Sequence, residues 1–281
     1  MPIMKEPSHL LEPVISLARE AGRRILEIYH SDFRVGRKDD DSPLTAADLA
    51  AHHCLVQGLP KLRPPYPILS EEAVALPFEE RAAWETYWLI DPLDGTREFV
   101  KRNGEFTVNV ALIHQHVPVL GVVYAPVLDL CYFASEGCGA YKQVANGEPV
   151  QIYALSPARI PPVVVGSRSH RTAELEVYLQ RLGEHTLKSV GSSLKLCLVA
   201  EGDADLYPRI GLTSEWDTAA AHCVVDAAGG AVTDLAGQPL LYNTKPSVLN
   251  PYFLVFGDKN RDWLAPAAGM NSCVDDRGSN D

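Results

Sequence analysis

The hydrophobic pattern of the chain changes near residue 158, and this change limits the folds that are open to it. Before it come four β-rich runs that are separated by turns, EFTVNVALI, VPVLGVVYAP, DLCYFASEG and GAYKQV. Neighbouring runs of this kind predict an antiparallel meander with helices packed on one face. After it, strand-like runs alternate with helix-like runs, which indicates an α/β layer.

Helices are predicted on both sides of this change. Apolar residues recur at steps of three and four between Ser8 and Tyr29, and a second helical pattern runs from Thr45 to about Leu59. Thr45 and Asp48 have the spacing of a capping box at the start of the second helix. Later helices are predicted at residues 172–182, 193–200 and 217–228.

Prolines cluster where the pattern changes, between Ala154 and Pro162, so a domain boundary is expected there. We predict an N-terminal α+β domain at residues 1–158, which carries the acidic groups described below. A C-terminal α/β domain is predicted at residues 159–265. Residues 266–281 have few apolar side chains to bury, which predicts a disordered tail.

The chain has 281 residues and a formal net charge of -11. This charge argues against binding of nucleic-acid polymers or anionic membranes, which require clustered Lys and Arg. No apolar run is long enough to span a bilayer, and the N-terminus lacks the apolar core of a secretory signal. The six cysteines form no C-x-x-C pair, which is typical of reduced thiols in a cytoplasmic protein. A homo-oligomer is compatible with all of these features.

In the segment WLIDPLDGTREF, residues 88–99, a short apolar run is followed by two acids, Asp91 and Asp94. Pro92 fixes its own φ and lacks an N–H group, so we expect the chain to turn sharply after Asp91. The carboxylates of Asp91 and Asp94 then face one point, with the Leu93 carbonyl between them. Such oxygen ligands suit Mg²⁺, which usually binds one or two carboxylates, water and a substrate phosphate.

Gly95 and Thr96 follow the two aspartates and precede REFVKR, a short helical candidate. Amide groups at the start of a helix attract anions, so a phosphate is expected to contact these two residues. The alternative is a type I turn in which the aspartates act as caps. The D-x-D-G-T motif of haloacid dehalogenase phosphatases is a different case, because its aspartates are two residues apart and the first is a covalent nucleophile.

More acids lie at predicted strand ends and helix starts. Glu71 and Glu72 end a strand-like run, Asp217 begins a helical run and Asp48 lies in the predicted capping box. Singly, each has a simpler interpretation, as a solvated edge or as an acid that stabilises a helix start. Together, they are placed where they can converge on one crevice.

Three segments resemble the inositol monophosphatase superfamily: SEE at 70–72, WLIDPLDGTREFVKRNGEFTVNVALI at 88–113 and EWDTAAAHCVVDAAGG at 215–230. Others are similar to its 3'(2'),5'-bisphosphate nucleotidase branch of the bacterial CysQ type: SPLTAADLAAH, SRSH, LGEH, GSSLKLCLVAEG and LYPR. The resemblance spans about residues 12–256. It implies an α/β fold, a layered αβαβα sandwich of two halves, with two or three Mg²⁺ ions per site held between them.

Position by position, the resemblance implies that Asp48 and Thr96 orient and deprotonate the attacking water. It implies metal ligands at Glu71, Asp91, the Leu93 carbonyl, Asp94 and Asp217. The residues expected to contact substrate are Glu71, Leu93, Asp94, Gly95, Thr96, Ser167, Arg168, His170, Ser193, Lys195, Arg209 and Asp217. Among them, the basic residues of the second half are expected to bind the 5'-phosphate and adenosine, although each by itself is as well explained by a solvated surface position.

The implied activity is Mg²⁺-dependent hydrolysis of 3'-phosphoadenosine 5'-phosphate (PAP) to AMP and phosphate, without a covalent intermediate. The resemblance places this reaction in sulfur metabolism, predicts inhibition by Li⁺, and adds 3'-phosphoadenylyl sulfate as a second substrate. Two alternatives stay open. The same metals serve an inositol or sugar monophosphatase, which does not need Lys195 and Arg209, and a non-catalytic nucleotide- and metal-binding regulator is an alternative of another class. The expected location is the cytoplasm. The resemblance to the bacterial branch adds an alternative, a peripheral position on the cytoplasmic face of the inner membrane.

Overall fold

The computed structural model describes residues 7–31, 43–73, 76–167 and 172–270. Within these residues the helices are α1 (Leu11–Tyr29), α2 (Pro43–Gly58), α3 (Phe78–Arg81), α4 (Thr96–Val100), α5 (Ala173–Leu182), α6 (Leu194–Ala200) and α7 (Glu215–Ala227). The strands are β1 (Ile68–Ser70), β2 (Thr86–Asp94), β3 (Thr107–His114), β4 (Val117–Ala125), β5 (Leu130–Ser135), β6 (Gly139–Val144), β7 (Val150–Ile152), β8 (Val163–Gly166), β9 (Thr186–Ser189), β10 (Leu206–Arg209), β11 (Ala231–Asp234) and β12 (Phe253–Phe256). Short 3₁₀ turns cover Pro7–Leu10, Leu59–Lys61 and Ala265–Ala267.

The first sheet contains β1 to β7 in chain order. β1 is parallel to β2, and every later pair is antiparallel, so the predicted meander is confirmed. α1 and α2 cover one face of this sheet. Val14, Ile25 and Leu55 of the two helices share a buried core with Trp88 and Val110 of the strands, as the amphipathic pattern of α1 requires.

α6 and α7 lie between the first sheet and a second sheet of order β11-β12-β10-β8-β9. Ala220 and Val224 of α7 belong to the same buried core as Val123 of the first sheet and Val165 and Val255 of the second. One helical layer therefore joins the two sheets.

α5 covers the outer face of the second sheet. Its Leu175 and Tyr178 pack with Val164 and Leu254 of the strands. The helix begins at Thr172, whose Oγ1 accepts a hydrogen bond of 3.1 Å from the Leu175 amide. The layers run α1/α2, sheet, α6/α7, sheet, α5, and the expected αβαβα sandwich is confirmed.

The chain leaves the first sheet after Ile152 and enters the second at Val163, which brackets the boundary expected near residue 158. α7 nevertheless comes from the later part of the chain and packs on the first sheet as well as the second. The division into domains at 1–158 and 159–265 therefore stays a prediction.

The protein remains packed beyond residue 265, where the sequence analysis began the disordered tail. Pro266 and Ala267 are buried, and Ala267 belongs to the core beside α5. Arg181 of α5 donates to the Ala268 carbonyl at 2.8 Å. The predicted start of the disordered tail at residue 266 is therefore too early, because apolar side chains at 266–270 complete that core. Residues 271–281 lie outside the described residues.

β2 continues through Pro92 to Asp94, so the sharp turn expected after Asp91 is wrong. Asp91 pairs with Asn109 of β3 and Asp94 pairs with Thr107, so two residues of β2 oppose a single residue of β3. This irregularity is a bulge, a position where a residue without an N–H group is tolerated. The turn comes at Gly95, which has φ +97° and ends the strand before α4.

α2 already includes Pro43, before the predicted start at Thr45. Thr45 and Asp48 therefore lie inside the helix, and the capping-box interpretation is wrong. Proline is compatible with the first turn, where a missing N–H breaks no hydrogen bond. Asp48 is buried and lies in α2 five residues after Pro43.

Gly121 of β4 sets the closest approach between the first sheet and α7. A Cβ atom at this position would overlap the carbonyl group of Ala220 and crowd the side chain of Cys223, both on α7. Only a residue without a side chain permits this approach.

Replacement of Gly121 by Ala is expected to lower the free energy of unfolding by about 1–3 kcal/mol, because overpacking pushes α7 off the sheet. Urea unfolding followed by circular dichroism measures the change. Gly211→Ala is the matched control, since a Cβ there would lie 3.6 Å from its nearest heavy atom, on Thr172. Equal unfolding midpoints for the two variants would contradict the close packing of α7.

Candidate active site

Three carboxylates from different elements meet at the edge of the first sheet. Glu71 follows β1, Asp91 lies in β2 and Asp217 lies in the first turn of α7, and each offers an oxygen within 4.8 Å of the other two. β1 and β2 are parallel neighbours, so their carboxyl ends reach the same edge. α7 brings the third carboxylate from the other half of the chain.

Asp91 is the buried member of this cluster. Its Oδ1 accepts a hydrogen bond of 3.0 Å from the Leu93 amide, whereas its Oδ2 is buried without a partner among the described residues. A buried carboxylate oxygen without a partner is costly, and a cation is the group that removes the cost. The all-oxygen donor set suits a hard divalent ion such as Mg²⁺. These residues therefore fit the metal that the sequence implies.

The carboxylates repel one another strongly. Burial, together with the charges on Glu71 and Asp94, raises the pKa of Asp91 well above its usual range. Burial and the charge on Asp94 raise the pKa of Asp217 to about 8. A bound divalent cation reverses this effect, because it supplies the opposite charge at the same place.

Asp48 lies near the cluster without belonging to it. Burial, followed by the charges on Glu72 and Glu71, raises the pKa of its carboxyl group to about 8. α2 thus places a buried acid beside the carboxylate cluster. A residue that accepts a proton during a reaction at the cluster has to lie this close to it.

Asp94 points into the adjacent cavity. Its Oδ2 accepts a hydrogen bond of 2.5 Å from the Ser193 amide. Burial raises its pKa, and the nearby positive charge of Lys195 opposes that rise. Its ligand role, like that of the Leu93 carbonyl, stays a prediction, because the mutual cluster contains Glu71, Asp91 and Asp217.

Asp217 has two roles at once. Its Oδ2 accepts a hydrogen bond of 3.1 Å from the Ser214 amide and completes a capping box at the start of α7. It also faces Glu71 and Asp91. The interpretation as a helix-start acid is therefore confirmed, and the metal-ligand role of Asp217 stays a prediction.

A cavity of about 380 Å³ joins the acids to the basic residues of the second half. Lys195 is 7% exposed, lies 5.5 Å from the centre of the Tyr207 ring and donates to the Ser192 carbonyl. Burial lowers the pKa of its amine to about 8. Arg209 donates to the Thr213 hydroxyl and, at 2.5 Å, to the Leu212 carbonyl.

The cavity brings together most of the residues predicted to contact substrate. Its walls include Asp94, Gly95, Thr96, Ser167, Ser193, Lys195, Arg209 and Asp217. Arg168 and His170 lie outside the described residues. Ser193 lines the cavity, while its hydroxyl is hydrogen-bonded to Thr107 and Asn109 within the protein. Its contact with substrate stays a prediction.

Some residues of the site were missed by the sequence analysis. Thr107 and Asn109 are buried polar residues on β3, and Glu105 accepts a hydrogen bond of 2.8 Å from the Gly191 amide beside the cavity. Thr107 and Asn109 interrupt the apolar run TVNVALI at alternate positions. This spacing of two residues could have identified them from the sequence, since it places both polar side chains on one face of the strand.

Comparison with known proteins gives consistent results at the level of sequence. The profile of the inositol monophosphatase family matches residues 6–268. The chain is 54% identical over 254 residues to the 3'(2'),5'-bisphosphate nucleotidase CysQ of Salmonella typhimurium, and 53% identical over 254 residues to that of Escherichia coli K12. Each comparison covers 88% of this chain and 99% of the relative.

Solved structures give the same grouping. CysQ from Bacteroides thetaiotaomicron, described as a bacterial member of the inositol monophosphatase family, superposes with a TM-score of 0.80 at 45% identity, over 88% of this chain and 96% of that one. An inositol monophosphatase from Zymomonas mobilis superposes with a TM-score of 0.75 at 22% identity, over 93% and 98% of the two chains, and at this identity the likeness concerns the fold alone. In the part of the chain that the structure describes, no helix is both long and apolar enough to cross a membrane.

Without divalent cations, the protein is expected to lose stability as the pH rises from about 5 to about 8. The folded pKa of Asp217 is about 8 against an ordinary 3.8, so between these values the folded state binds more protons and a rising pH favours unfolding. The slope is on the order of 1 kcal/mol per pH unit. Urea unfolding at both pH values measures it, with a chelator and then with Mg²⁺, which is expected to reduce the loss.

Asp217→Asn is the control for this pH effect. The variant keeps an oxygen that accepts from the Ser214 amide, but it removes the titrating group. Its slope in the presence of chelator is expected to be smaller. An unchanged slope would show that the titration of Asp217 does not destabilise the metal-free protein.

Proposed function

The chain belongs to the inositol monophosphatase family, and we propose that it is a metal-dependent 3'(2'),5'-bisphosphate nucleotidase. Relatives that carry this name are more than half identical to it and are covered almost from end to end. The proposed substrate is PAP, which is hydrolysed to AMP and phosphate. 3'-Phosphoadenylyl sulfate, whose 3'-phosphate is the same, is proposed as a second substrate.

One observation supports this substrate class above all. The cavity has Asp94 and Asp217 at its acidic side and Lys195 and Arg209 in its walls. A substrate with two phosphate groups matches this polarity, since one phosphate requires the metal and the other requires fixed positive charge. A substrate with a single phosphate would have no second anionic group for Lys195 and Arg209 to bind.

We propose that two or three Mg²⁺ ions are held by Glu71, Asp91, the Leu93 carbonyl, Asp94 and Asp217. When bound, such ions neutralise the phosphate oxygens and lower the pKa of a water molecule at the site. Without them the acidic residues would repel the substrate. The protein contributes by fixing the ligands on β1, β2 and α7, which do not have to rearrange when substrate arrives.

The remaining groups have proposed roles in orientation and proton transfer. Thr96 lies at the first position of α4, directly after the bend at Gly95, and lines the cavity. We propose that its hydroxyl orients the attacking water and that the Asp48 carboxylate accepts the proton. Gly95 and Thr96 contact the 3'-phosphate, while Lys195, Arg209 and Ser167 bind the 5'-phosphate and adenosine. Contacts from Arg168 and His170 stay predictions.

A cytoplasmic location, a peripheral position at the inner membrane and a homo-oligomeric state also stay predictions. None of them is needed for the proposed chemistry, because every proposed ligand comes from one chain.

Purified protein with Mg²⁺ is expected to release phosphate from PAP and to be inactive after chelation. A panel of PAP, 3'-phosphoadenylyl sulfate, adenosine 3'-monophosphate and inositol monophosphate, assayed for free phosphate, measures this preference. The two bisphosphate-type substrates are expected to react at least tenfold faster than the monophosphates, since each charged contact contributes about 1.5–3 kcal/mol. Faster hydrolysis of inositol monophosphate would contradict the nucleotidase assignment.

Lys195→Gln is expected to raise the KM for PAP by about tenfold to a hundredfold, because the charged contact to the 5'-phosphate is lost. The kcat at saturating substrate is expected to change less, since the reacting phosphate lies on the acidic side of the cavity. Lys188→Gln is the matched control, because Lys188 is an exposed residue paired with Asp203 at 3.7 Å. Equal KM values for the two variants would remove Lys195 from the binding site.

A further inference from the structure

The bulge in β2 places its two aspartates opposite two polar residues of β3. Asp91 is paired with Asn109 and Asp94 with Thr107. Asn109 and Thr107 are two residues apart on a regular strand, so their side chains lie on the same face of the sheet. The aspartates opposite them share that face.

The hydroxyl of Ser193 connects these two polar residues. It donates to Asn109 Oδ1 at 2.8 Å, and it also lies 2.8 Å from Thr107 Oγ1. A serine hydroxyl has a single hydrogen atom, so the Thr107 hydroxyl is the donor of the second hydrogen bond. All three side chains are at most 2% exposed, and water cannot replace these contacts.

The backbone of the same residue holds Asp94. The Ser193 amide donates to Asp94 Oδ2 at 2.5 Å, and the Gly191 amide, two residues earlier, donates to Glu105 at 2.8 Å. Gly191 permits this close fit, because a Cβ there would crowd Glu98 and the Glu105 carbonyl. The 191–193 loop, from the second half of the chain, is thus bound to the edge that carries the aspartates.

Asn109 is the residue of β3 that lies opposite Asp91. Because Ser193 binds its Oδ1, the amide orientation of Asn109 is fixed, and its Nδ2 is left for another partner. Asn109 Nδ2 and Asp91 Oδ2 are both buried without a partner among the described residues.

We propose that Ser193 is a positioning residue for the metal-binding aspartates, rather than the substrate-contacting residue that the sequence suggested. Its amide orients Asp94, and its hydroxyl, through Asn109 and Thr107, fixes the strand that faces Asp91. The role rests on the proposed function, since it serves the same metal site. Groups that orient metal ligands in this way typically change metal affinity by about tenfold to a hundredfold when they are lost.

The test is Ser193→Ala, which removes the hydroxyl and keeps the amide that binds Asp94. Mg²⁺ binding to the full chain is measured by titration calorimetry without substrate, followed by the kcat and KM for PAP and by thermal unfolding. The expected result is a Mg²⁺ dissociation constant raised about tenfold or more. At saturating Mg²⁺ the KM for PAP is expected to stay within about twofold of the wild-type value, since no substrate contact is lost.

Ser135→Ala is the matched control. Ser135 on β5 is fully buried, and its hydroxyl has no partner among the described residues. This variant is expected to bind Mg²⁺ like the wild-type protein. Thr107→Val removes the hydroxyl that donates to Ser193, and it serves as a second variant if Ser193→Ala fails to fold. Its Mg²⁺ dissociation constant is also expected to rise.

An unchanged Mg²⁺ affinity in a folded Ser193→Ala or Thr107→Val protein would overturn the proposal, even if thermal stability fell. A raised KM for PAP with unchanged Mg²⁺ affinity would also overturn it, because the hydroxyl would then contact substrate. A wild-type protein that binds Mg²⁺ but releases no phosphate from PAP would instead contradict the proposed function. The comparison of Mg²⁺ affinities would still decide the role of Ser193 in that case.

Discussion

The structure depends on how it holds mutually repelling carboxylates in a partly dehydrated place. Bringing Asp91, Asp94 and Asp217 together is unfavourable without a counter-charge, because each loses water and gains like-charged neighbours. Each of these aspartates accepts one backbone N–H group, from Leu93, Ser193 and Ser214 respectively. These amides orient the carboxylates and offset part of the repulsion, and the divalent cation proposed above would offset the rest.

The helical layer between the two sheets carries both the acidic and the basic side of the cavity. α7 carries Asp217 and packs tightly on the first sheet at Gly121, while Lys195 is the second residue of α6, directly after the 191–193 loop. Both helices are held on two faces by strands. The same packed core therefore sets the positions of Asp217 and of the buried Lys195.

Much of the fold was predictable because its signals are local. The β-rich runs, the amphipathic α1 and the alternation in the second half each carry their own periodicity, and acids at the ends of such runs point to a common edge. The bulge at Pro92 was not predictable in this way, since a D-P-L-D-G segment has the local chemistry of a turn and the pairing with Asn109 and Thr107 is a long-range property. The hydrogen bonds of the Ser193 hydroxyl were not predictable either. The resemblance implies a substrate contact for Ser193, whereas Thr107 and Asn109, which its hydroxyl contacts, are more than eighty residues away in the chain.

The bulge also changes what the spacing of the two aspartates means. In a regular strand, residues three positions apart point to opposite faces. The extra residue between Asp91 and Asp94 shifts the phase of the strand by one, and both carboxylates reach the same side. A D-x-x-D motif of this kind works only together with a shorter partner segment on the adjacent strand. In a regular ladder without the bulge, the same four residues would direct one acid into the site and the other to the opposite face of the sheet. The unit that must be kept intact is therefore the strand pair and not the motif.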